Sequence, residues 1–155
     1  VKNRHDLLGY NCRLDTLQAC VLLAKMQHIE RWTEQRRSIA QWYEQELQET
    51  GLILPKQLDG NRHVYHLYVV RHPNRDALMY HLAQQKIFCG IHYPNPLPTA
   101  APFVHCATVP WELPICSHYS REILSLPMYP EMTRDMVVRV ARGIREFVQR
   151  EVVSV

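Results

Sequence analysis

Residues 9–49 read GYNCRLDTLQACVLLAKMQHIERWTEQRRSIAQWYEQELQE. From Leu14 onward apolar side chains return at helical spacing: Leu14, Leu17 and Val21, then Ile29, Trp32, Ile39, Tyr43 and Leu47. No Gly or Pro interrupts residues 14–49, and Gly51 followed by Pro55 closes them in the order usual at helix ends. About 35 residues is long for one helix, so the reading is a bent helix or two stacked helices meeting near His28. A helix of this length bridges two domains or packs on a partner.

The approach to that helix has its own chemistry. In an extended segment alternate side chains share a face, so Asn11 and Arg13 point the same way. They offer an amide donor and a planar, permanently charged guanidinium, both suited to phosphate oxygens. Asp15 follows as N-cap, with Gln18 at the capping-box position, and a helix N-terminus adds free N–H groups. Two readings stand here. One is an anion grip; the other is an exposed Asn, an Arg in a surface ion pair and an ordinary helix cap.

Beyond residue 50 the pattern changes. Residues 63–71 (HVYHLYVVR) are β-branched and aromatic and predict a strand. Asn74 caps a helix to about Lys86 with Leu78 and Leu82 inward, and residues 87–92 predict a second strand. Residues 94–102 hold four of the ten prolines and predict an ordered loop. A helix over 114–124 starts at a proline, residues 125–130 are extended, and Thr133 caps a closing helix to about Arg150. In that last helix Val137, Val140, Ile144 and Phe147 face inward. The fold class is therefore α/β or α+β, with helices on a small sheet. The sheet has few strands, so this reads as an accessory domain.

Composition narrows the function classes. The 155 residues, 46% hydrophobic, suffice for a core. Eighteen basic residues are interleaved with fifteen acidic ones for a net charge of +3, which gives no concentrated basic face for nucleic acid. No apolar run approaches the roughly 20 residues that span a bilayer. Five cysteines without a Cys-x-x-Cys pair do not form a secreted disulfide framework, so a reducing cytoplasm is expected. The polar start, Val1-Lys2-Asn3-Arg4-His5-Asp6, is no signal peptide and reads as though cut from something longer.

Most candidate chemistries lack their residues. His63 and His66 lie three apart on a predicted strand and diverge, and no acidic or Cys cluster completes a metal set. There is no Gly-x-Ser-x-Gly, Gly-x-Gly-x-x-Gly or Walker-type loop. The run Gly90-Ile91-His92-Tyr93-Pro94 is more suggestive. A glycine just before His and Tyr at a strand end lets both rings project into a cleft, or leaves them as half-buried packing beside a proline loop. Tyr10 and Tyr129 read the same two ways, with packing favoured.

Three stretches in register resemble a known family. Gly9-Tyr10-Asn11-x-Arg13-Leu14-Asp15-x-Leu17-Gln18-Ala19, then Ile91-His92-Tyr93-Pro94, then Leu124-Ser125-Leu126-Pro127-Met128-Tyr129-Pro130 with Thr133 resemble nucleotide-sugar aminotransferases of the DegT/DnrJ/StrS type. The resemblance covers residues 5–148. It implies the C-terminal small domain of the aspartate-aminotransferase fold (fold type I), with a small, mostly antiparallel sheet. It also implies a pyridoxal 5'-phosphate enzyme moving an amino group from an amino acid, typically glutamate, to a nucleotide-linked keto-sugar. Active sites in the family lie at a homodimer interface. By matching position, Asn11 reaches the cofactor phosphate of a neighbouring subunit with Arg13 alongside, and His92 and Tyr93 lie near the substrate. The Arg13-Leu14-Asp15 form resembles members acting at C3 of the sugar rather than C4.

The resemblance also marks what is missing. The family's Schiff-base lysine and the Asp that pairs with the pyridinium nitrogen lie upstream of the first motif. None of this chain's four lysines (Lys2, Lys25, Lys56, Lys86) matches that position, so no catalytic residue is assigned. Residues 96–101 (PLPTAA) replace a His- and Gln-containing run usual in the family. The expectation is a chain without transaminase activity alone, working with a homodimer mate or a large-domain partner. The alternative is a non-catalytic dimerisation or regulatory remnant of the same family.

Overall fold

In a computed structural model the structure describes residues 6–7, 9–10, 13–103 and 113–153. The order is α1 (Thr16–Met26), α2 (Ile29–Leu47), β1 (Tyr68–Arg71), α3 (Arg75–Gln84), α4 (Pro114–Glu122), β2 (Ile123–Leu126) and α5 (Arg134–Val153). Single 3₁₀ turns at Leu97–Thr99 and Ala101–Phe103 shape the proline loop.

The long helical stretch is two helices parted at Gln27 and His28. Asp15 caps α1, accepting the Gln18 N–H at 2.8 Å. On α2 the expected stripe faces inward at Ile39, Tyr43 and Leu47, with Trp32 partly buried. On α1 nothing is buried: Leu17 and Val21 there, Leu14 just ahead of it and Ile29 at the start of α2 are exposed rather than inward. The helical period placed these residues on a face; it could not say whether this chain covers that face.

The sheet is an antiparallel pair, β1 on β2, with Val70 opposite Leu124 and Tyr68 opposite Leu126. The expected strand over 63–71 is shorter, because the carbonyls ahead of β1 are taken by arginines of α2. Arg36 donates to the carbonyls of Tyr65, His66 and Met128 at 3.3, 3.1 and 3.1 Å. Arg37 donates to that of His63 at 2.8 Å. Neither His63 nor His66 therefore lies on a strand. The expected strand at 87–92 is reduced to one bridge, Gly90 with Ser125. Helix α4 stops at Glu122 rather than 124, since Ile123 already pairs with Arg71.

The core lies between α2, the sheet, α3 and α5. Tyr43, Leu47, Tyr68, Val70, Leu78, Leu82, Leu124, Val137, Ala141 and Ile144 are almost fully enclosed. Tyr43 stacks on Tyr68 at 4.9 Å between ring centroids and donates to the Pro127 carbonyl at 2.9 Å. Thr133 caps α5, its hydroxyl accepting the Met136 N–H at 3.4 Å, and Val137, Val140, Ile144 and Phe147 face inward as expected. Asn74 precedes α3 but its amide donates to Glu151 at 2.6 Å instead of capping that helix. Among the described residues no helix is long and apolar enough to cross a membrane.

Candidate functional site

His92 and Tyr93 emerge where the chain leaves the sheet. Ser125 on β2 exchanges both backbone hydrogen bonds with Gly90, at 3.0 and 2.8 Å. The chain then folds so that the His92 imidazole lies over Gly90. A Cβ at that glycine would stand 2.7 Å from His92 Cε1, inside any normal contact. Gly90 thus serves a close approach of a ring to backbone. His92 Nδ1 sits 2.9 Å from the Ser125 hydroxyl, and Ser125 is 4% exposed. The His92 and Tyr93 rings meet edge-on at 5.5 Å, and the peptide between them is cis. Both residues are exposed, Tyr93 by 68%. The exposure of both residues departs from half-buried packing.

The second group is at the start of α1. Arg13 is exposed two residues before the Asp15 cap of α1. Asn11 lies outside the described residues. Tyr10 is 91% exposed and Tyr129 is 42% exposed, so packing describes neither fully. The Tyr129 hydroxyl contacts Met136 Sδ at 3.4 Å. No hydrogen bond or ion pair among the described residues joins Arg13 to His92 or Tyr93.

Other features have structural explanations. A cleft of about 320 Å³ between α2 and α5 is polar, and its Arg145 is satisfied by the Glu46 carbonyl at 2.8 Å and carboxylate at 3.2 Å. Arg71 pairs with Glu122 at 2.9–3.0 Å and lies 3.6 Å over the Tyr119 ring. Burial pushes the Cys89 thiol up to about 12, which removes it as a nucleophile. Among the described residues no group of three or more His, Cys, Asp or Glu is arranged to hold a metal ion.

The residues can be tested against a phosphate-bearing cofactor. An exposed guanidinium at a helix start fits a phosphate contact. The reactive amine does not fit: Lys25, Lys56 and Lys86 are all solvent-exposed, and Lys2 lies outside the described residues. A Schiff-base lysine works in a desolvated pocket where its amine is neutral. The described residues fit a phosphate grip only, and no step of transamination is derived from them.

Sequence reasoning missed Ser125. Its signal was present in the Leu124-Ser125-Leu126-Pro127 run, a polar residue among apolar ones, but not the partner it would meet.

A profile of the DegT/DnrJ/EryC1/StrS aminotransferase family matches residues 1–145. The chain is 40% identical to a pleiotropic regulatory protein of Geobacillus stearothermophilus, over 94% of this chain and 40% of that protein. It is 39% identical to a dTDP-3-amino-3,4,6-trideoxy-alpha-D-glucose transaminase of Micromonospora megalomicea subsp. nigra, over 90% of this chain and 39% of that one. Among solved structures it superposes on S. venezuelae DesV in complex with a ketimine intermediate with a TM-score of 0.83 at 33% identity, covering 97% of this chain and 41% of the other. The chain spans about two-fifths of the length of the curated relatives it matches.

Proposed function

Because the chain belongs to the DegT/DnrJ/EryC1/StrS aminotransferase family, whose members depend on pyridoxal phosphate, we propose that it forms the C-terminal part of a nucleotide-sugar aminotransferase. In this reading residues 1–50 end the large domain and residues 51–155 are the small domain. The donor is an amino acid, glutamate by preference, and the acceptor a keto group at C3 of a nucleotide-linked sugar. A 3-amino sugar stands in the names of the Micromonospora relative and of a UDP-N-acetyl-3-dehydro-alpha-D-glucosamine 3-aminotransferase at 37% identity. Asn11 and Arg13 hold the cofactor phosphate of a neighbouring subunit, and His92 and Tyr93 meet the substrate. The compartment is reducing and cytoplasmic, in keeping with the free thiols of Cys20, Cys89 and Cys116.

The bound cofactor supplies the electron sink for transamination. What this chain supplies is binding and orientation. Arg13 offers two parallel N–H donors to phosphate oxygens, and the first turn of α1 adds its own N–H groups. His92 and Tyr93 offer hydrogen-bonding groups on a rigid sheet edge.

The observation that carries this reading is α1. Leu14 just ahead of α1 and Leu17, Val21, Leu22, Leu23 and Met26 on it are 49–80% exposed, and the helix buries nothing. Covering a large aliphatic side chain contributes about 1.5–3 kcal/mol, so six of them suit a permanent partner surface beside the phosphate grip. The purified chain treated with pyridoxal phosphate and borohydride is expected to give no adduct at a single specific lysine. Supplying a large domain of the family in trans is expected to bury α1 and restore transamination of a nucleotide-linked keto-sugar. A specific lysine adduct on the chain alone overturns the reading.

One observation favours a second reading, a non-catalytic dimerisation or regulatory module: the regulatory protein of Geobacillus at 40% identity. Self-association of the chain through α1, with no recovery of activity by a large domain, would decide for it.

A further inference from the structure

We infer that Ser125 and Gly90 are positioning residues that fix the tautomer and direction of His92, so that its Nε2–H points outward as a hydrogen-bond donor. The inference rests on the reading of His92 as a substrate-facing residue and adds to it which atom faces the ligand and what holds it there.

The argument begins with a proton count at Ser125. A serine hydroxyl has one proton to donate and two lone pairs. Ser125 is 4% exposed, so that proton needs a protein acceptor. The single polar side-chain contact of its hydroxyl among the described residues is His92 Nδ1 at 2.9 Å. If Nδ1 carried the ring proton, Nδ1–H would donate to the hydroxyl oxygen and the hydroxyl proton would be left without an acceptor. Stranding a buried donor costs about 1–3 kcal/mol. The arrangement that satisfies every group has Ser125 O–H donating to Nδ1, which puts the neutral ring's proton on Nε2. This tautomer is assigned from the hydrogen-bond network.

Gly90 fixes the direction. The imidazole lies on the bare Cα of Gly90, and the two backbone bonds from Gly90 to Ser125 hold strand, hydroxyl and ring as one unit. Among the described residues Nε2 has no partner, and His92 is exposed. An N–H donor on a rigid edge suits an acceptor oxygen, such as a sugar hydroxyl or a diphosphate. The sequence alone shows a His and a Ser 33 residues apart and does not connect them.

The test is nitrogen-detected NMR of the His92 ring in the full chain, with the ring in its neutral form. Expected is a single tautomer, with Nδ1 pyridine-like and Nε2 pyrrole-like. In Ser125→Ala the ring is expected to drift toward a mixture, and in Ser125→Thr, which keeps the hydroxyl, to retain the wild-type signature. Gly90→Ala leaves Ser125 intact but displaces the ring, so the same drift is expected there. It also serves as the second route should Ser125→Ala fold poorly. A pyrrole-like Nδ1 in the wild type, or a tautomer unmoved by both Ser125→Ala and Gly90→Ala, overturns the inference. Titration with uridine diphosphate separates it from the reading it rests on. With tautomer control observed, shifted His92 signals support both, whereas unmoved ones remove the substrate role and leave the positioning role standing.

Discussion

Replacing Tyr43 by Phe removes one oxygen from the centre of the domain, and its cost follows from its burial and two contacts. Tyr43 is fully enclosed, stacks on Tyr68, and donates to the Pro127 carbonyl at 2.9 Å. Phe keeps the ring volume and the stack. What is lost is the hydrogen bond, and a partly buried carbonyl loses its donor, for about 1–2 kcal/mol. In a domain of this size that lowers Tm by about 2–8 °C. Tyr43→Ala also empties the ring's space and is expected to cost about 3–5 kcal/mol.

The pH dependence gives an independent check on the same substitution. Burial pushes the Tyr43 phenol well above its usual range in the folded chain. The folded state therefore keeps this proton while the unfolded chain releases it near pH 10. Stability from the neutral phenol is complete below that pH and falls above it, by about 1.4 kcal/mol per pH unit. Tyr43→Phe lacks this loss, so its penalty is expected to shrink above pH 10 and close at about pH 11. The assay is urea unfolding at pH 7.5, 10 and 11 with a common m-value. A Tyr43→Phe variant within about 0.3 kcal/mol of wild type at pH 7.5, or a penalty that grows with pH, refutes the account.

Cys89 is expected to stay unreactive toward a thiol reagent at pH 8 while Cys20 and Cys116 react, and to react only on unfolding; mass spectrometry of the labelled peptides reads this. Since its folded-state value is raised, the stability it contributes is present below about pH 9 and is lost as pH rises toward 12. At Gly143 a Cβ would lie 2.9 Å from Gln85 Oε1 and 3.0 Å from Leu82 Cδ2, where α5 meets α3. Leu82 is fully buried and Gln85 is tied to Glu146 at 2.9 Å, so neither yields freely. Overpacking of about 1–3 kcal/mol outweighs the roughly 1 kcal/mol of helix propensity that alanine adds. Gly143→Ala should therefore lose about 1 kcal/mol by denaturant unfolding, and a gain would refute the close packing.

Much of the fold was legible because its period is local. The helices α2, α3 and α5 and their inward residues follow from spacing, as does the Asp15 cap on α1. Strand β1 falls inside the stretch read as a strand over 63–71, but its limits and the start of β2 were not legible, since strand pairing depends on where backbone donors and acceptors go. Arg36 and Arg37 take the carbonyls ahead of β1, and no local pattern announces a guanidinium arriving from a helix about 30 residues earlier. Of the candidate site, the residue types and the glycine beside His92 could be read from the sequence; the Ser125 contact could not.

The sequence by itself determined the helical periods, the motif residues Arg13, His92 and Tyr93, and the lack of a matching lysine, because these depend on which groups the chain carries. Tertiary structure alone decided which faces are covered and which atoms meet. It left α1 bare while burying the same kind of stripe on α2, and it brought the Ser125 hydroxyl to His92. Burial and hydrogen bonding are properties of two surfaces, and the second is supplied by residues distant in sequence, or by a partner.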